Sequence, residues 1–198
     1  MTYEYHKQPG SKQTIITLHG TGADEHDLDG LAQAINPQAT IIGLRGDVNE
    51  QGMLRWFKRH QPGVFDEEDL KVRAKKLAAW LPQLAQKENI QLEEALFVGF
   101  SNGANMLAAL LQRHPGVIKK AALLHGQIPL PEQSIPTQEA QVFVSAGETD
   151  PLIPYEESKR LAKQLQKSNA TVEFFTHPGG HQITREEVAS LKKFFASG

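Results

Sequence analysis

The chain has 198 residues, 23 acidic and 21 basic side chains, a formal net charge of −2 and no cysteine. One core can serve that length. Disulfides, thiolate nucleophiles and thiolate metal sites are excluded, and the dispersed charge offers neither a basic stripe for nucleic acid nor a polybasic patch for a membrane surface.

Residues 1–7 hold no apolar signal core, and no apolar run is long enough to span a bilayer, so a cytoplasmic protein is expected. Residues 3–6 alternate weakly, as an edge strand does. Residues 13–18 are β-branched and apolar, the mark of a buried strand. They run into His19-Gly20-Thr21-Gly22, a loop that only small residues could make. Asp27 or the acids before it can cap a short helix through Leu28, Leu31, Ala32 and Ile35, stopped by Asn36-Pro37. Residues 39–44 read as the next buried strand. Residues 45–65 have no clean period; Met53, Leu54, Trp56, Phe57, Val64 and Phe65 stand among charged residues. A connection of that length is usually functional when its aromatics argue against disorder.

Asp66 caps a helix whose Leu70, Ala74, Leu77, Leu81 and Leu84 make one apolar stripe. An apolar strand over 95–100 and a helix over 102–113, apolar nearly all round, flank Ser101. Residues 120–124 form a strand ending at His125-Gly126, and 127–138, with three prolines, read as a surface loop. A strand over 141–146 leads into Gly147-Glu148-Thr149-Asp150-Pro151. After a helix over 155–167 and a strand over 171–176 comes the loop His177-Pro178-Gly179-Gly180-His181. A capping box, Thr184-Arg185-Glu186-Glu187, opens the final helix. Strands alternating with helices demand a parallel sheet covered on both faces. With no repeat and no linker, residues 1–198 read as a single α/β domain.

The chemistry gathers where such strands end. Gly99-Phe100-Ser101-Asn102-Gly103, lying between a strand and a helix, has the G-x-S-x-G form of a nucleophile elbow. A serine in a plain glycine-rich turn would also fit that pentapeptide. The partners narrow the choice: Asp150 follows a later strand and His181 the last one, in the order Ser, Asp, His. A serine hydroxyl needs a neighbouring base as it attacks, an imidazole supplies it near neutral pH, and a carboxylate on the other ring nitrogen fixes the tautomer. The backbone N–H groups of Thr21 and Asn102 are the candidate oxyanion donors; losing one such donor costs about 3–4 kcal/mol. Glu148 competes with Asp150, and His177 with His181. Glu148 also reads as a surface or capping acid, and His177 as a structural strand-end histidine. His19 reads as a loop-shaping residue, and His125 as either pocket lining or a satisfied loop histidine. His6, His26, His60 and His114 read as surface groups. No metal motif, phosphate loop or dinucleotide fingerprint occurs, so no cofactor and no metal are expected.

Taken together, Leu18-His19-Gly20-Thr21-Gly22, the elbow pentapeptide, Gly147-Glu148-Thr149-Asp150-Pro151 with Ile153-Pro154, and Gly180-His181 resemble the phospholipase/carboxylesterase family, which includes the acyl-protein thioesterases. Arg45-Gly46, Glu50, Gly52-Met53, Arg55-Trp56-Phe57 and Gly63-Val64-Phe65-Asp66 are similar to a branch within it, the bacterial carboxylesterases associated with hydroquinone resistance (the MhqD type). The resemblance implies a compact α/β-hydrolase fold with little or no lid, a Ser101-Asp150-His181 triad, and Thr21 and Asn102 as oxyanion donors. It also implies a small-molecule ester as the partner. Thr21, Asn102 and His125-Gly126 depart from the thioesterase branch, where leucine, glutamine and a serine-glycine pair are usual; this weakens a thioesterase reading without touching the backbone donors. The expectation is a serine carboxylesterase, with a thioesterase or lysophospholipase on the same scaffold as the alternative and a non-catalytic binding module as a third reading. Met53, Trp56, Phe57, Phe65 and His125 are the candidate substrate-binding residues; the four from the long loop read equally well as filling a satellite core. Association as a homodimer is left open by the sequence.

Overall fold

The computed structural model describes residues 2–10, 13–61, 63–130, 136 and 139–196. Its central sheet has seven strands. In chain order these are β1 (Tyr5–Gln8), β2 (Thr14–Leu18), β3 (Thr40–Leu44), β8 (Leu96–Phe100), β9 (Lys120–Leu124), β10 (Gln141–Gly147) and β11 (Thr171–His177). Their spatial order is β1-β3-β2-β8-β9-β10-β11. Only the edge strand β1 is antiparallel to its neighbour; every other pairing is parallel.

Alternation along the strands feeds two cores. Ile16, Leu18, Phe97, Val142 and Val144 face one side, where α2 (Glu67–Glu88), α3 (Asn102–Arg113) and α4 (Tyr155–Lys167) pack. Ile15, Leu96, Val98 and Phe143 face the other, against α1 (Asp29–Ile35) and α5 (Arg185–Ala196). Apolar burial is worth about 1.5–3 kcal/mol for each large side chain, so a one-residue slip of any central strand would reverse its faces at great cost. The Asp66 side chain caps α2 by accepting from Asp69 N at 3.0 Å. Thr184 and Glu187 make the reciprocal capping contacts, 3.1 and 3.2 Å, that start α5.

Four readings need correction. Residues 45–65 hold two hairpins, β4 (Val48–Glu50) with β5 (Met53–Arg55) and β6 (Arg59–Gln61) with β7 (Val64–Phe65). The N-cap position of α1 is Leu28, with no side-chain cap; Asp29 instead binds His6 and Gln8 at 2.8 and 2.9 Å. His6 and His26, expected as surface groups without a constellation, lie with tilted rings 4.1 Å apart beside that carboxylate, His26 still exposed. The expected surface loop 127–138 begins with buried residues, Ile128 and Leu130; residues 131–135, 137 and 138 lie outside the described residues.

Candidate active site

Ser101 follows β8 and stands at the N-cap position of α3 with φ 52° and ψ −110°, a sparsely populated conformation for a residue with a side chain. The glycines beside it are steric necessities. A Cβ on Gly103 would lie 2.0 Å from Leu18 O, and one on Gly99 2.7 Å from Ala104 N. The Ser101 N–H donates to Leu124 O at 2.8 Å, tying the turn to the neighbouring strand. The N-terminus of α3, with its free amides and partial positive charge, therefore opens at the serine.

Asp150 follows β10, and His181 follows β11, the strand beside it. The Asp150 side chain is only 1 % exposed. Its Oδ1 accepts from Leu152 N at 2.8 Å and Ile153 N at 3.0 Å, and its Oδ2 lies 2.6 Å from His181 Nδ1. Burial is the largest single influence and works against the charge, but the His181 contact and the two amides together outweigh it and hold the carboxyl below its ordinary value. The His181 ring packs 5.0 Å from that of Phe100, the residue before Ser101. Of the rivals, Glu148 is exposed and accepts from Thr176 Oγ1 at 3.3 Å. His177 Nδ1 accepts from Gly179 N at 3.0 Å, while its Nε2 faces Glu187 at 4.0 Å.

The loop after β2 is braced by its neighbours. His19 lies buried with Nδ1–H donating to Gly20 O at 2.7 Å and Nε2 accepting from Gly46 N at 3.0 Å. Burial, the largest cause, pushes its pKa down, which suits a ring fixed in one neutral tautomer. Gly22 N donates to Leu54 O at 2.9 Å, and Arg55 Nη1 donates to Thr21 Oγ1 at 2.8 Å. Trp56 reaches both sides: its Nε1–H donates to His19 O at 3.0 Å, and its backbone N–H to Asn102 Oδ1 at 2.8 Å. The Thr21 N–H has no hydrogen-bond partner among the described residues.

The candidate substrate-binding residues differ in exposure. Trp56 and Phe57 are 1 % and 0 % exposed, in the main core, and His125 is 0 % exposed. Such burial fits the core-filling reading of Trp56 and Phe57 and the satisfied-loop reading of His125. Met53, 39 % exposed and next to Gly22, and the half-buried Phe65 keep accessible surface. Sequence reasoning missed Arg55 as the brace of Thr21, and it read Glu187 only as a helix cap. Neither has a spacing signal, because each partner comes from a distant segment. Groups with metal-ligand side chains do come together, but their facing atoms already pair histidine with carboxylate: His6 with Asp29, His181 with Asp150, and His125 with both Asp150 and Glu187.

The family model described as Phospholipase/Carboxylesterase matches residues 5–197. MhqD of Bacillus subtilis (strain 168), a protein named as a hydrolase, is 39 % identical over 186 residues, 93 % of either chain. Among solved structures, the Bacillus cereus carboxylesterase superposes with a TM-score of 0.94 at 35 % identity, covering 98 % of this chain and 94 % of that one. A carboxylesterase from Mesorhizobium loti gives 0.93 at 28 % identity, covering 99 % and 95 %. In all three cases the likeness spans nearly the full length of both chains, so it extends to the loops at the strand ends as well as the sheet.

Proposed function

The chain belongs to the phospholipase/carboxylesterase family and is a hydrolase with its α/β fold; on that premise we propose that it is a serine carboxylesterase hydrolysing small carboxylic esters through an acyl-enzyme. Ser101 is the nucleophile, His181 the base and then the acid, and Asp150 the residue that orients His181. The observation that carries this reading is the 2.6 Å contact between His181 Nδ1 and Asp150 Oδ2 beside the strained Ser101 turn.

In this reading Asp150 takes the Nδ1–H, which leaves His181 Nε2 with a lone pair for the hydroxyl proton. As the Ser101 oxygen attacks the ester carbonyl, its proton passes to Nε2. The carbonyl oxygen becomes an anion, held by the amides of Thr21 and Asn102, the latter aided by the α3 dipole. Collapse of the tetrahedral adduct expels the alcohol, which takes the proton from Nε2. Water then repeats the sequence on the acyl-enzyme and releases the acid. Met53 and Phe65 are the apolar surface left for the substrate.

A fluorophosphonate probe and p-nitrophenyl acetate test the mechanism. Covalent labelling and turnover are expected in the wild type and neither in Ser101→Ala; labelling that persists in that variant rules the assignment out. Comparing short and long acyl chains, as esters and as thioesters, decides the substrate class.

A further inference from the structure

Behind Asp150 lies a second imidazole that the mechanism above does not use. His125 follows β9 with φ 52° and is fully buried. Its Nδ1 lies 3.4 Å from Asp150 Oδ2, the oxygen that His181 also engages, and its Nε2 lies 3.4 Å from Glu187 Oε2 on α5. The titratable groups facing it are Asp150 and His181 from the loops after β10 and β11, His177 at the end of β11, and Glu187; the Phe100 ring of β8 closes the remaining side at 5.7 Å. The Glu187 side chain is as buried as His125, and its Oε1 has no partner.

The hydrogen count is constrained. His177 Nδ1 accepts from Gly179 N, so its single proton sits on Nε2, pointing at Glu187. Each nitrogen of His125 meets a carboxylate oxygen. A neutral imidazole has one N–H only, so one contact would set a lone pair against an anion unless a further proton lies between His125 and Glu187. With that proton on the ring, or on the carboxyl with the ring donating from Nδ1, Asp150 receives an N–H from His125 in either case.

We infer that His125 is a positioning residue: a second, permanent donor to Asp150, held in its donor state by Glu187. It shares the Asp150 charge with His181. Without it more of that charge falls on His181 Nδ1–H, the imidazolium form is favoured, and the base is lost at higher pH. The strained backbone at residue 125 is kept because the ring is fixed at both ends. This inference rests on the triad reading for its kinetic consequence but not for its structural one.

Three variants and one spectroscopic measurement test it. His125→Phe removes the donor and keeps a ring; His125→Gln keeps a side-chain N–H; His125→Phe with Glu187→Met removes both partners, so that no carboxylate is left buried alone. In the first and third, the acid limb of kcat/KM is expected to move up by about half a pH unit, roughly a threefold rate loss on that limb. KM should stay unchanged, because His125 touches no substrate, and His125→Gln should fall in between. In the wild type, ¹⁵N NMR of the histidine rings should show His125 protonated at Nδ1 at pH 8. An acid limb unmoved in the folded variants, or an unprotonated Nδ1, overturns the inference. Loss of Ser101-dependent turnover in the wild type would instead sink the triad reading, and the ring spectrum would still decide the proton on His125.

Discussion

Gly147→Ala tests how the His181 loop is placed. Gly147 ends β10 and pairs with His177 of β11. A Cβ built there lies 2.2 Å from Gly180 O and 2.5 Å from Gly179 O, both backbone atoms that cannot rotate away. Ordinary contact begins near 3.4 Å, so the loop must retreat by about 1 Å, and a displacement of that size at a catalytic group costs roughly 10²-fold in rate. That is about 2.7 kcal/mol of transition-state stabilisation. Gly180 faces it across the same contact and supplies the control. A Cβ there meets nothing closer than the Gln182 side chain at 3.4 Å, so Gly180→Ala should cost little although it sits next to the histidine. The assay is kcat/KM on p-nitrophenyl acetate beside thermal unfolding of both variants. Near-wild-type activity in a folded Gly147→Ala, or equal loss in the two, would refute the steric argument.

Further expectations follow from the same geometry. Asp150→Asn should keep the fold and lower kcat by about 10⁴-fold, because an amide can hold His181 in the wrong tautomer; steady-state kinetics reads this directly. Thr184→Ala removes the acceptor for Glu187 N and should cost about 1 kcal/mol in urea unfolding. His19 is held neutral by burial, so below its unfolded value of about 6.5 the unfolded chain binds a proton that the folded chain refuses. Stability is therefore lost as pH falls from about 6.5, and the difference from His19→Gln should narrow between pH 7 and 5 in denaturant titrations. Asp150 has the carboxylate pattern: its contribution is present above about pH 4 and lost as pH drops through its lowered folded value.

Period and order carried the sheet and helices. β2, β3, β8, β9, β10 and β11 fall within a residue or two of the stretches read from β-branched and apolar runs. The capping residues Asp66 and Thr184 marked their helices because a cap is a local interaction. The two small hairpins were not legible. Strands of two or three residues are too short to show alternation, and the turn between β4 and β5 uses Gln51 and Gly52, both at positive φ, a primed turn without the usual asparagine signal. The pairing of Asp150 with His181 followed from chain order at strand ends. The exposure of Trp56, Phe57 and His125 stayed open between core and pocket, because it depends on what long-range packing lays over a residue.

The site is held from two sides of the Ser101 turn, through Trp56 on Asn102 and His181 against Phe100. Its strained backbone conformation costs about 1–3 kcal/mol and persists only where the surroundings over-determine it. On one side the segment 54–56 supplies that constraint. Leu54 O fixes Gly22, Arg55 fixes the Thr21 side chain, and Trp56 joins His19 O to Asn102 Oδ1. A single buried strand end thereby sets the spacing between the two amides proposed to receive the oxyanion. On the other side a buried line of alternating imidazoles and carboxylates, His181, Asp150, His125 and Glu187, runs from the surface to the first turn of α5. The backbone amides are indifferent to the side chains at 21 and 102, so departures from the thioesterase branch at those positions leave the donors in place. Changes at Arg55 or Trp56 would act on their spacing instead, from some thirty to fifty positions away in the chain.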